Sequence, residues 1–349
     1  MPTKSATAKA TSPTPRSHPP EGPTTDTAAL PDPGRPSFAS RFGNLEWRDF
    51  AIYIGFVVIF LLFAVFLRDD GFLLTNNLLN IVRQTAIIAV MAVAGTFVIA
   101  AAQIDLSIGS VAGLSSVVTA MTISSTGSVL LGVLAGLGTG VVVGTINGGL
   151  VAVLGLPSFL VTLAMLGIAA GVAQWISNFQ PVPILNKAFT DLFGSGDFGP
   201  IPSLLLWAAL FVLVGVVVMN KTTFGRQVLA AGGNETAARF TGVRTKRITF
   251  YVLLISAIVA SIAGMLYAGR LQSGRYQWGT GDELSVIAAV VLGGTSLFGG
   301  YGRVIGSAIG AVFIGLINNG LILAGLDVSQ QIIIQGIIII IAVALAKKK

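Results

Sequence analysis

The sequence predicts an all-α polytopic membrane protein of about ten transmembrane helices, arranged as an inverted repeat of two five-helix halves. Of its 349 residues, 54% are hydrophobic and only 10% charged, against the roughly 25% charged in soluble domains. The apolar residues gather into runs near the ~20 residues needed to cross a ~30 Å hydrocarbon layer. A short Gly-Asn-Gly pattern also recurs between the fourth and ninth runs. These features exclude a soluble enzyme, a nucleic-acid binder and a disordered scaffold.

Residues 1–48 read as a disordered cytoplasmic tail, since nine of the 14 prolines fall in residues 1–36 among Ser, Thr and Ala without apolar periodicity. No apolar stretch occurs in the first 30 residues, and the first run leads into Arg68-Asp69-Asp70 rather than a small-residue cleavage site. That run is therefore expected to be an uncleaved anchor. From there, residues 49–349 form the transmembrane domain, with runs at about 51–67, 79–101, 104–123, 129–153, 158–178, 203–219, 249–268, 284–298, 304–324 and 330–346. The eighth run is short, and only Gln103 separates the second from the third, with Asp105 just beyond.

Basic residues set the orientation. With the N-terminus inside, the cytoplasmic side collects six Lys/Arg of the tail, six in the 220–248 loop, Arg303 and Lys347 to Lys349, together 16 of 21. An even number of spans puts both termini in the cytoplasm, so the net charge of +7 reads as orientation rather than nucleic-acid affinity. The repeat is carried by Gly144-Thr-Ile-Asn147-Gly-Gly149-Leu150 and Gly315-Leu-Ile-Asn318-Asn-Gly320-Leu321, five spans apart and hence of opposite direction. Gly132, Gly136, Gly140, Gly144 and Gly148 fall four apart, as do Gly302, Gly306 and Gly310. Small residues so spaced let helices approach closely, and because four residues overshoot a turn by about 40°, the ladder serves one right-handed crossing or two partners in turn.

Two absences bear on chemistry. The chain has no Cys, and its one His, His18, lies in the tail, which removes thiolate catalysis, disulfides, zinc sites and a His shuttle within the membrane. The nearest approach to a phosphate-binding loop, Gly215 to Thr222, has Asn220 where the second Gly is needed and lies in an apolar run. The chain is thus not expected to be an enzyme or to hold a metal, and energy must come from an ion gradient or another subunit.

The candidate pathway residues are Gln103, Asp105, Ser107, Asn147, Asn318 and Asn319. Asp105 is a carboxylate in an otherwise apolar region of more than 40 residues, where an unpaired charge costs at least ~2.5 kcal/mol. Either Asp105 and Ser107 cap the third span or Asp105 contacts a polar solute. The remaining embedded polar groups, with Thr162, Gln174, Gln331 and Gln335, are neutral. Such groups suit an uncharged hydroxyl-rich solute, or serve as interhelical glue. In the basic loop, Gly233 precedes Asn234, an N-cap, and Glu235 sits in the first turn with Gly242 as the stop. The spacing predicts a helix of about seven residues that presents Ala237, Ala238, Arg239 and Phe240, either solvated or docked to a partner.

Four motifs then carry a resemblance: IDLSIGS at 104–110, INGGLVAVLGLPSFLVTL at 146–163, FGRQVLAAGGNETAARFTGV at 224–243 and ELSVIAAVVLGGTSLFGGYGRVIGSAIGAV at 283–312. In this order they resemble the inner-membrane permease subunits of bacterial ABC sugar importers of the ribose, xylose and arabinose class, over about 50–346. The family often has paired glycines where this chain has Ala102-Gln103, and an acid in place of Thr236. The resemblance implies a path for a sugar or similar polyhydroxylated solute, delivered by an extracytoplasmic binding protein. It also implies a homodimer in the bilayer, driven by two cytoplasmic ABC ATPase subunits that hold ATP-Mg, with no cofactor in this chain. Residues 233–242 would be the coupling segment. A stand-alone secondary transporter fits the spans but not the scarcity of membrane acids, a structural scaffold leaves the polar positions without a role, and distant relatives of the fold carry branched-chain amino acids.

Overall fold

Hydrocarbon offers no partner to a backbone amide, so apolar runs must satisfy their own hydrogen bonds as helices. The computed structural model describes residues 51–346. Its helices are α1 (Ala51–Phe66), α2 (Thr75–Ala100), α3 (Ile108–Thr126), α4 (Val129–Ala152), α5 (Ser158–Ser177), α6 (Lys187–Thr190), α7 (Ser203–Lys221), α8 (Thr223–Gly233), α9 (Glu235–Phe240), α10 (Thr245–Arg270), α11 (Asp282–Leu292), α12 (Val304–Leu323) and α13 (Val328–Ala346). Strand content is confined to two-residue pairs, β1 (Val182–Pro183) with β4 (Ser273–Gly274) and β2 (Asp197–Phe198) with β3 (Ile201–Pro202). The expected tail and the terminal lysines lie outside the described residues.

Among the described residues seven helices are long and apolar enough to cross a membrane: α2, α3, α4, α5, α7, α10 and α12. Of the other three runs, 51–67 corresponds to the 16-residue α1, and 330–346 falls within α13. The run at 284–298 contains only the 11-residue α11, which stops at Gly293. A helix of that length spans about 17 Å, roughly half of a hydrocarbon layer.

The burial pattern identifies the centre. In its most apolar stretch α2 is 83% buried, whereas α4, α5 and α7 are each 28% buried, so these three lie at the rim. Their exposed residues, such as Leu134, Val142, Leu163 and Leu213, form apolar faces of the kind that lipid covers. α1 is pinned by aromatic contacts, with Phe60 and Phe63 each edge-on to the buried Phe72 and Phe56 tilted against Phe313.

The glycine ladder of α4 serves two partners in turn. A side chain at Gly132 or Gly136 would run into Ile123 or Thr119 of α3, whereas one at Gly140, Gly144 or Gly148 would run into Ala257, Leu254 or Phe250 of α10. On α12, Gly306 abuts Gly293 just after α11, Gly310 abuts Ala289 of α11, and Gly315 then meets Thr85 of α2. Gly302, ahead of α12, meets Ala100 and Thr96 of α2.

Candidate functional site

Between α2 and α3 the chain unwinds at residues 101–107, beginning at Ala102 with φ 56°. An irregular stretch among apolar helices needs borrowed hydrogen bonds, and α5 supplies them. The Ile104 amide donates to Ser158 Oγ at 3.1 Å and the Leu106 amide to Thr162 Oγ1 at 3.1 Å. Thr162 Oγ1 also lies 3.2 Å from the Ile104 carbonyl, to which it can donate.

Asp105 is the polar centre of this stretch. Its Oδ1 accepts from the Ser107 amide at 2.9 Å and from Ser107 Oγ at 2.6 Å, while Oδ2 accepts from Ser256 Oγ at 2.6 Å. Ser107 Oγ in turn accepts from Asn147 Nδ2 at 3.0 Å. Asn147 Oδ1 is buried and has no partner among the described residues. The network thus joins α3, α4 and α10. Ser256 is the twelfth of 26 residues in α10, about 17 Å along that helix and close to its middle. Beside it lies a cavity of ≈ 40 Å³ whose lining includes Asp105, Ser256, Ile104, Ile108, Val286 and Leu297.

After α10 the chain again turns back along a neighbour. Ser116 Oγ of α3 lies 3.0 Å from the Arg275 carbonyl and accepts from the Arg275 amide at 3.3 Å. Gly113 lies against the carbonyls of Tyr276 and Trp278, and Gly109 against Gly279 and the Glu283 carboxylate. The N-termini of α3 and α11 therefore meet, an arrangement in which two positive helix ends face one place. Tyr267 of α10 donates to Asp282 Oδ2 at 2.6 Å. Trp278 stacks on Tyr267 at 6.3 Å with Arg275 over its ring at 5.3 Å.

At the other end of α10, helix α8 is fastened to the end of α2. Phe224 stacks on Phe97 at 6.2 Å, Gly232 abuts the Ala100 carbonyl, and the Gly300 amide donates to that carbonyl at 2.9 Å. α9 follows with the caps its sequence calls for. Asn234 Oδ1 accepts from the Ala237 amide at 2.9 Å, and Gly242 closes the helix at φ +85°. Glu235 Oε1 accepts from Thr245 Oγ1 at 3.1 Å, which joins the first residue of α9 to the first of α10. The outer face carries Glu235, Thr236, Ala237, Arg239 and Phe240, and Phe240 is 88% exposed.

The structure divides the residues singled out from the sequence. Asp105, Ser107 and Asn147 come together in one network, while Gln103 reaches only the Ala101 carbonyl beside it at 3.3 Å. Asp105 receives the Ser107 amide, but the Ser107 side chain makes no bond into α3, so the pair does not form an ordinary cap. Asn318 is half-buried with no side-chain hydrogen bond among the described residues. Its neighbour Asn319 pairs reciprocally with Asn77 of α2, at 3.0 and 2.8 Å. In α9, Ala238 is buried by its own chain, leaving Ala237 alone of the two on the open face. Gly233 is exposed and packs on Gly300. Three contributors escaped the sequence reading: Ser256, Ser158 and Thr245. Each is a hydroxyl residue in or beside an apolar run, with no local signal to distinguish it from helix packing.

Residues 77–343 match the family described as branched-chain amino acid transport system / permease component. The chain is 38% identical to the ribose import permease protein RbsC of Escherichia coli K12 over 287 residues, covering 80% of this chain and 88% of the relative. It is 36% identical to RbsC of Bacillus subtilis over 290 residues, covering 83% and 90%. With the L-arabinose transport system permease protein AraH of E. coli K12 it shares 34% identity over 316 residues, covering 90% and 95%. No solved structure matches.

Proposed function

The chain belongs to the permease components of ABC-type importers, and on that premise we propose that it forms the membrane path for a sugar or similar polyhydroxylated solute. The solute comes from an extracytoplasmic binding protein, and two ATPase subunits that hold ATP-Mg drive its passage. The permease works as a homodimer in the inner membrane, with ten spans and both termini in the cytoplasm.

The observation that carries this reading is the unwound stretch at 101–107. There the carboxylate of Asp105, the hydroxyls of Ser107 and Ser256 and the amide of Asn147 converge near the middle of a long apolar helix, which is where a transporter needs polar groups. Asp105, Ser107 and Asn147 line or shape the path. α9 is the contact with the ATPase, since its capped helix presents Phe240 and Arg239 outward while α8 and Thr245 anchor it behind.

The inverted repeat is supported by helix partners. α4 packs first on α3 and then on α10; α12 packs first on α11 and then on α2. α2 and α10 are both 26 residues long, and each is followed by a segment that folds back beside a shorter helix. If α2 corresponds to α10, α3 to α11 and α4 to α12, the two sets of contacts are the same. The halves then rock about α2 and α10 to open alternately to either side.

The test is purification of the tagged permease from its native membrane, followed by uptake into vesicles containing the recovered complex and binding protein. ATPase subunits should copurify, and labelled ribose or arabinose should enter only with ATP. Entry of labelled leucine instead would favour the amino-acid branch of the family. Uptake without any ATPase subunit would overturn the proposal.

A further inference from the structure

The coupling helix meets the first residue of α10 and the unwound stretch meets its middle, and each is tied to that helix by one hydroxyl. At the near end, Thr245 donates to Glu235 at 3.1 Å and is itself buried. The Val243 amide donates to the Ala238 carbonyl at 3.0 Å, so the turn from α9 into α10 is braced twice. Midway along α10, Ser256 Oγ donates to Asp105 at 2.6 Å. Between them run ten residues of unbroken helix, 246–255, about three turns, which transmit a displacement rather than absorbing it.

Residues 101–107 lack a helical ladder and depend on Ser158 and Thr162 for two backbone donors. Asp105 accepts from three groups, and among the described residues Ser256 is the only one outside that stretch. The small cavity beside this bond is lined in part by Ile104, Ile108, Val286 and Leu297. These come from both sides of the α3 and α11 meeting point.

We propose that Ser256 is a positioning residue for coupling: through its bond to Asp105 it makes the 101–107 stretch follow α10, so that movement of α9 reshapes the cavity that Ile108 lines. This inference rests on the reading of α9 as the ATPase contact. It assigns the transmission to two hydroxyl contacts of α10, Thr245 with Glu235 at its start and Ser256 with Asp105 at its middle.

The absence of Cys from the chain allows a direct test on the purified complex with its ATPase subunits in lipid nanodiscs. Ile108→Cys places a single thiol in the lining of that cavity, and a water-soluble maleimide reports its accessibility without nucleotide and with ATP plus vanadate. The labelling rate should differ between the two states. That difference should shrink about fivefold in Ser256→Ala, the factor that accompanies loss of about 1 kcal/mol, and return in Ser256→Thr, which keeps the hydroxyl. Thr245→Val should shrink it likewise, with recovery in Thr245→Ser. An undiminished difference in both Ser256→Ala and Thr245→Val overturns the latch. So does equal labelling in both nucleotide states of the parent Ile108→Cys complex with ATPase subunits bound, a result that leaves the α9 reading standing. If ATPase subunits never copurify, the α9 reading itself fails and the latch with it.

Discussion

Asn147 donates its amide to Ser107 at 3.0 Å, while the corresponding residue of the second Gly-Asn-Gly pattern, Asn318, bonds to nothing among the described residues. The same sequence pattern therefore does different work in α4 and α12. In α4 the amide steadies the hydroxyl that holds Asp105, and its own carbonyl oxygen, in a buried place, has no partner among the described residues.

From this asymmetry, Asn147→Leu should be the more damaging of two parallel substitutions. It takes a donor from Ser107 and loosens the Asp105 network, whereas Asn318→Leu removes no bond. Interhelical hydrogen bonds in membranes average about 0.6 kcal/mol, so both variants should insert and be purified in similar yield. Uptake should fall several-fold in Asn147→Leu and stay near normal in Asn318→Leu. Equal uptake by the two would show that Asn147 is ordinary packing.

Asn77 and Asn319 make two reciprocal bonds between α2 and α12. Replacing either with Leu leaves the other amide short of its partner, at a cost of about 1–2 kcal/mol. The double replacement should cost less than the sum, with a coupling of about 0.5–1.5 kcal/mol. Thermal unfolding of the four proteins in detergent measures this, and strict additivity would mean that the pair is not energetically linked.

Neighbouring glycines of α4 offer a contrast that tests the helix packing. A Cβ at Gly148 would sit 2.8 Å from the Phe250 carbonyl oxygen, while a Cβ at Gly149 would meet nothing within 4 Å. Gly148→Ala should lower stability by about 1–3 kcal/mol through overpacking. Gly149→Ala should be neutral or stabilising by up to about 1 kcal/mol, the gain in helix propensity. Similar melting temperatures for the two would place α10 farther from α4 than it is here.

How much could be read from the sequence depended on how local each signal is. α9 was legible because Asn234 and Gly242 act on backbone groups within three or four residues of themselves. Asp105 was legible because a lone carboxylate among apolar residues is costly wherever its partner lies. Ser256 was not, since a serine in an apolar helix satisfies itself against the preceding turn as readily as it reaches a residue 151 positions away. The end of the helix in the run at 284–298 was not legible, because apolar content alone ignores Gly293-Gly294, where α11 ends and Gly294 takes φ +86°. Asn318 was matched to Asn147 by counting along a repeat, yet Asn319 is the residue turned toward α2, about 100° farther round the helix.

The outer face of α9 gives the sharpest test of coupling, because its two alanines face opposite ways. Ala237 is exposed beside Arg239 and Phe240, and Ala238 is buried against its own chain. Ala237→Glu should leave the permease folded and inserted, since the new carboxylate points away from the protein, but it places a charge in a surface that must be covered by an ATPase. Desolvating that unpaired charge costs several kcal/mol, enough to reduce copurification of the ATPase subunits more than tenfold and to abolish uptake. Ala238→Glu should instead lower the yield of the permease itself. Gly242→Pro bears on the same surface by another route: proline fixes φ near −65°, which the left-handed turn at φ +85° cannot accept, so α9 should lose its end and its hold on α10. Pull-down of ATPase subunits with each variant, alongside permease yield, separates the three effects. Normal assembly and uptake with Ala237→Glu would remove α9 from the interface.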